Sequence, residues 1–166
     1  EMCIRDSFEK GVLFLPQLLQ SAGAAQAAFE VVKDAIAASG KKSGGKGKII
    51  VATVKGDIHD IGKNIVKTLL ENYGYDVLDL GRDVPAETVV KAAQEHGVRL
   101  VGLSALMTTT LGSMEETICA LRRAGLSCRV MVGGAVLTPE YAMHIGADYY
   151  AKDAKQSVDI AREVLG

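Results

Sequence analysis

From residue 48 onward the sequence switches five times between a short β-branched run and a stretch of helical periodicity, and that alternation limits the fold more than anything else in the chain. Strands are expected at 48–54, 76–80, 100–104, 129–132 and 148–151, where β-branched and apolar residues cluster between turn signals. Helices are expected at 62–73, 86–96, 111–124, 139–145 and 154–165, where apolar residues recur every three or four positions. Strands separated by helices cannot pair as hairpins. They imply an α/β fold, a five-stranded parallel sheet flanked by helices, with the flavodoxin-like (Rossmann-like) strand order 2-1-3-4-5. Right-handed crossovers then line up every strand-to-helix loop along the carboxyl ends of the strands, the edge where ligands bind in such sheets.

The chain of 166 residues is longer than this domain by an N-terminal piece. Residues 39–47 form a polar, glycine-rich linker that neither helix nor strand favours. Before it, Pro16 suits the first turn of a helix, and Leu18, Leu19, Ala22, Ala25, Phe29, Val32 and Ile36 recur at helical spacing. A lone helix cannot bury its own apolar face, so residues 1–38 are expected to be the C-terminal part of a larger helical unit. Residues 1–7 fit no pattern. With 48% hydrophobic and 23% charged residues, and 19 basic against 20 acidic side chains, the chain is neither disordered nor a basic nucleic-acid or membrane-surface binder. Apolar runs such as 49–54 are far shorter than the roughly 20 residues of a spanning helix, and no signal-peptide pattern opens the chain, so a cytoplasmic location is expected. Cys3, Cys119 and Cys128 are widely spaced, as reduced packing thiols are; His96 and His144 fall late in helices and are expected at the surface.

The unusual residues sit in the strand-end loops: Lys55 to Gly62 after the first strand, Arg82 to Pro85 after the second, Ala105 to Thr110 after the third, Gly133-Gly134-Ala135 after the fourth and Lys152-Asp153 after the fifth. A P-loop fails on spacing, because five residues separate Gly56 from Gly62-Lys63 and Asn64 stands where a Ser or Thr should bind magnesium. A phospho-receiver reading fails as well, since the third strand ends in Ser104-Ala105 where it needs an Asp. What the first loop offers is His59 flanked by carboxylates, with Asp57 able to reach the imidazole nitrogen turned away from a ligand, the way carboxylates orient metal-bound histidines. One histidine without a second His or Cys nearby cannot hold a metal alone. The metal would arrive with its other donors attached, as in a macrocycle that leaves one axial position to the protein.

The segment Gly56-Asp57-Ile58-His59-Asp60-Ile61-Gly62-Lys63-Asn64 resembles the D-x-H-x-x-G signature of cobalamin-binding domains, as in cobalamin-dependent methionine synthase and the corrinoid carrier proteins of methyltransferase systems. Two further stretches match in order: Leu103-Ser104-Ala105-Leu106-Met107-Thr108-Thr109-Thr110 resembles the LSxLxT segment, and Val132-Gly133-Gly134-Ala135 the glycine pair. The segments 8–11 and 14–22 resemble the end of the helical cap that precedes this domain in the methyltransferase branch, so the resemblance spans residues 8–166. It implies a chain that binds cobalamin, as methylcobalamin in its loaded form, base-off and His-on. Cobalt comes with the corrin, and the methyl group shuttles between methyl-donor and methyl-acceptor methyltransferase modules, with a reductive activation partner in attendance.

The resemblance also assigns roles. His59 becomes the lower axial ligand of cobalt, Asp57 holds its far nitrogen, and Thr110 takes the third place of an Asp-His-Ser relay. Gly56, Ile58, Asp60, Gly62 and Leu106 line the cofactor side, although Asp60 by itself reads as a helix N-cap. Ser104 and Thr108 line a slot for the nucleotide tail, and Gly133 and Gly134 let that tail pass close to backbone; the threonines 108–110 by themselves also read as a helix start. Phe8 and Leu15 shield the upper face of the corrin. Two other cobalamin roles compete with methyl transfer: the small subunit of an adenosylcobalamin mutase, which usually lacks the cap, and a cobalamin-sensing module, which needs an output domain.

Overall fold

A computed structural model describes residues 46–166 and the single helical residue Val31. The cap expected at 1–38, with Phe8 and Leu15, and most of the linker lie outside the described residues. The described chain runs β1 (Lys48–Thr53), α1 (Ile61–Asn72), β2 (Asp76–Asp79), α2 (Ala86–His96), β3 (Leu100–Ser104), a 3-10 turn (Thr108–Thr110), α3 (Leu111–Arg123), β4 (Arg129–Gly133), α4 (Pro139–His144), β5 (Tyr149–Tyr150) and α5 (Ala154–Leu165). The five strands form one parallel sheet in the order β2-β1-β3-β4-β5, the expected flavodoxin-like topology. No described helix is long and apolar enough to cross a membrane.

Strand β1 is buried on both faces, which is why its sequence is continuously apolar where a half-exposed strand would alternate. Ile50 and Ala52 pack on one side with Val89 of α2, Met114 and Ile118 of α3 and Ala142 of α4. Ile49 and Val51 pack on the other with Leu70 of α1 and Val158 and Ala161 of α5. Burying side chains of this size stabilises by about 1.5–3 kcal/mol each, enough to hold the sheet as a rigid platform beneath its loops.

Departures from the expected elements are confined to their ends. Val54 leaves the strand after Thr53 and makes an isolated bridge to Val84, which draws the loop after β2 against the loop after β1. The strand expected at 148–151 is Tyr149–Tyr150, paired with Met131 and Val132, while the flanking Asp148 and Ala151 N–H groups still donate to the Val130 and Val132 carbonyls. Cys128 is buried and burial pushes its thiol pKa up, whereas Cys119 is exposed on α3, so only one of the two expected packing thiols packs. His96 and His144 end α2 and α4 at the surface, as expected.

Candidate functional site

The carboxylate of Asp57 is the centre of the carboxyl edge. It is fully buried, yet every group around it donates. Its Oδ1 accepts the backbone N–H of His59 at 2.9 Å and lies 2.8 Å from His59 Nδ1. Its Oδ2 accepts the N–H of Leu106 at 2.7 Å, the N–H of Met107 at 3.3 Å and the hydroxyl of Thr110 at 3.0 Å. Burial pushes the carboxyl pKa up, but the His59 and Leu106 amides, the His59 ring and the Thr110 hydroxyl outweigh it and hold the group well below the usual carboxylate range. An ionised Asp57 can only accept, so Nδ1 must donate to it, and in the neutral ring that leaves the lone pair on Nε2. The His59 side chain is 44% exposed, so that lone pair stands at the surface of the sheet edge.

These contacts exist because of strand order. β1 and β3 are adjacent, with Thr53 opposite Ser104, so the loops that follow them meet. Asp57, His59 and Thr110 are thereby brought together from positions up to 53 apart. Thr110 stands at the N-cap position of α3, but its side chain does not cap that helix. Its one hydroxyl proton faces two acceptors, Asp57 Oδ2 and the Met107 carbonyl at 2.9 Å.

The other expected residues scatter around this centre. Ile58 and Leu106 are exposed apolar side chains on the same edge, at 60% and 42%. Gly56 takes φ +83 and donates its N–H to Asp83. Asp60 occupies the N-cap position of α1, but its side chain makes no capping bond; only its carbonyl takes part, accepting from Asn64 N–H. Gly62 opens α1 with free space where a Cβ would stand.

Between α1, α5 and the sheet lies a cavity of about 250 Å³, lined by Val51, Lys63, Gly102, Ser104, Met131 and Ser157 among others. Gly62, Gly133 and Gly134 also reach its wall, but Thr108 does not: it is exposed in the 3-10 turn. The glycine pair serves the protein's own packing first. A Cβ on Gly134 would stand 1.8 Å from the Ala105 carbonyl oxygen, and one on Gly133 3.0 Å from that of Ala151.

Lys63 was not singled out from the sequence. It is 4% exposed on the cavity wall, with its ammonium on Asp79 Oδ1 at 2.5 Å and Asn64 Oδ1 at 2.9 Å. Burial raises the Asp79 pKa, and the Lys63 bond and Gly81 N–H bring it below the ordinary value. A signal was present: Lys63 falls seven residues before the buried Leu70, on the inward stripe of α1.

Among the described residues no group of three or more His, Cys, Asp or Glu could hold a metal ion. A single imidazole set by a buried carboxylate at a sheet edge, beside a glycine-walled cavity, fits a metal whose other donors belong to a macrocycle carrying a tail.

Comparison with known proteins agrees. Residues 47–159 match the B12 binding domain family. Dimethylamine corrinoid protein 1 of Methanosarcina acetivorans is 46% identical over 160 residues, which cover 95% of this chain and 75% of that protein. The structure of the Methanosarcina barkeri monomethylamine corrinoid protein superimposes with a TM-score of 0.73 at 36% identity, covering 97% of this chain and 76% of that one. A chain of the methanol:cobalamin methyltransferase complex of Methanosarcina barkeri does so with a TM-score of 0.72 at 34% identity, covering 98% of this chain and 62% of that one. The chain therefore belongs to the B12-binding domain family, among the corrinoid proteins of methyltransferase systems.

Proposed function

We propose that this chain is a methyl carrier of the methylamine type, holding cobalamin base-off and His-on and presenting it in turn to a methyltransferase that loads the methyl group and to one that removes it. The observation that carries the reading is the His59–Asp57 pair, a half-exposed imidazole whose Nδ1 is engaged at 2.8 Å by a buried, ionised carboxylate. Cobalamin supplies, when bound, a cobalt centre that accepts and gives up a methyl group. The chain supplies the rest. His59 Nε2 would hold the cobalt, Asp57 would orient the ring through Nδ1, and Thr110 and the amides of Leu106 and Met107 keep Asp57 ionised. Ile58 and Leu106 would offer apolar surface to the corrin, and the cavity beside Ser104 would take its nucleotide tail.

The named relatives support methylamine chemistry over methionine synthesis, because a dimethylamine and a monomethylamine corrinoid protein are among them. They also favour methyl transfer over the mutase and sensor roles, since the similarity covers 95% or more of this chain and so reaches into residues 1–38, which we propose as the C-terminal part of a helical cap. The partners are methyltransferases and a reductive activator in the cytoplasm.

The axial assignment is tested by electron paramagnetic resonance of the protein loaded with cob(II)alamin. One axial nitrogen should split the signal, nitrogen-15 labelling of histidine should change the splitting, and His59→Gly should remove it. Unchanged splitting in His59→Gly would end the assignment. The substrate class is tested by asking which methylamine, with its methyltransferase, methylates the reduced, loaded protein; methylation from methanol alone would contradict it.

A further inference from the structure

We infer that Asp83, on the loop between β2 and α2, is a positioning residue for His59. Nothing in the D-x-H-x-x-G signature contains it, and it lies 24 positions further along the chain. Asp83 grips the root of the histidine loop twice. Its Oδ1 accepts the Gly56 N–H at 2.7 Å, and its own N–H donates to the Asp57 carbonyl at 3.0 Å. The Lys55–Gly56 and Asp57–Ile58 peptide units, on either side of the Asp57 backbone N–Cα–C, are therefore held from outside the loop.

The grip is rigid because Asp83 stands on an anchored base. On one side of it, the Gly81 carbonyl accepts the N–H of Thr53 at 2.9 Å; on the other, the Val84 N–H donates to the Thr53 carbonyl at 3.1 Å. Thr53 itself is fully buried in β1. Asp83 is also the one non-glycine residue with positive φ among the described residues, at +54. Among L-residues only Asn and Asp take that conformation with any ease, and from it Asp83 turns its carboxylate to Gly56 and its N–H to Asp57. Thr110 Cγ2 comes within 3.5 Å of where a Gly56 Cβ would stand, so the loop after β3 also borders Gly56.

The consequence is mechanical. Asp57 can orient His59 only while its own backbone stays put, and Asp83 supplies that constraint from the sheet. This rests on the reading of His59 as the axial ligand only for its functional meaning, so the test has one arm without cofactor.

In the cofactor-free protein, amide hydrogen exchange is followed by nuclear magnetic resonance at Gly56 and His59. Asp83→Gly keeps the positive φ and removes the carboxylate; Asp83→Asn keeps both the conformation and an acceptor oxygen. Asp83→Gly should speed exchange at Gly56 and at His59 by roughly tenfold or more, the scale of a lost charge-assisted bond, and Asp83→Asn should restore most of the protection at both. Faster exchange at Gly56 with His59 unchanged would overturn the inference, as would acceleration spread evenly over β1 and α1. So would an Asp83→Asn protein as exposed as Asp83→Gly. In the second arm, with cob(II)alamin, Asp83→Gly should lower the fraction showing axial-nitrogen splitting while Asp83→Asn keeps it. A wild-type protein without any such splitting defeats the cobalamin reading, and the exchange arm still decides the role of Asp83.

Discussion

Asp57 and Asp148 are both largely buried aspartates at opposite ends of the same sheet, and both carboxyls are held below their ordinary pKa. Their partners differ. Asp148, at the amino edge just before β5, is met by the guanidinium groups of Arg122 and Arg129 and by the Val130 N–H. Asp57, at the carboxyl edge, is met by amides, a hydroxyl and one imidazole, with no arginine or lysine paired to it among the described residues. Cations neutralise Asp148 and turn it into a clasp between α3, β4 and β5. Neutral donors stabilise the ionised form of Asp57 without cancelling its charge, which leaves that charge to act on His59. A lowered carboxyl pKa alone does not separate a functional aspartate from a structural one; the nature of the donors does.

The largest effect should come from truncation. Asp57→Ala leaves the amides of Leu106 and Met107 and the buried Thr110 hydroxyl unsatisfied, and should cost about 3–5 kcal/mol in urea unfolding. Asp148→Ala frees two arginines that are 38% and 60% exposed and can turn to water, so its cost should be nearer 1–2 kcal/mol. Equal costs would break the contrast.

Acidification should affect both sites alike. Each carboxyl is depressed in the folded state, so its contribution is complete above the unfolded carboxyl pKa and is lost as pH falls through the folded one. Stability should therefore decline below about pH 4, and Asp57→Asn or Asp148→Asn should each flatten that limb by up to about 1.4 kcal/mol per pH unit. Only Asp57→Asn should also diminish the axial-nitrogen signal of the loaded protein.

A smaller effect, about 1 kcal/mol, is expected for Thr110→Val, because the Leu106 and Met107 amides hold the same carboxylate oxygen. Thr110→Ser should match wild type in unfolding. A loss approaching that of Asp57→Ala would make the hydroxyl the principal support of Asp57. The smallest effect concerns salt. At 1 M the screening length is about 3 Å, so the penalty of Asp148→Ala should shrink by a few tenths of a kcal/mol while that of Asp57→Ala stays constant. A salt-sensitive Asp57 penalty would mean that the site is wetter than its complete burial indicates.

Much of the site was legible in the chain, for reasons that differ from residue to residue. Asp57 and His59 are two positions apart on one loop, so their pairing is local. Thr110 could be placed only by resemblance, since its bond to Asp57 spans 53 positions and depends on β1 lying beside β3. Asp83 is legible only as one residue of the strand-end loop 82–85, because its importance lies in a backbone angle and in two bonds to a different loop. Gly134 is given to the nucleotide tail by resemblance, and its second demand, that a side chain there would meet the Ala105 carbonyl, is visible only in the structure.

The sequence by itself determined the elements, their order and the edge on which the chemistry sits, since periodicity and turn residues are properties of neighbours along the chain. Strand register decided what the loops do to one another. Once Thr53 stands opposite Ser104 and Val54 opposite Val84, the loops after β1, β2 and β3 meet, and the donors around Asp57 come from all across that meeting point. Tertiary structure alone could decide those contacts, because no periodicity encodes the partner of a side chain half the domain away; only the packing of both sheet faces brings the two into reach.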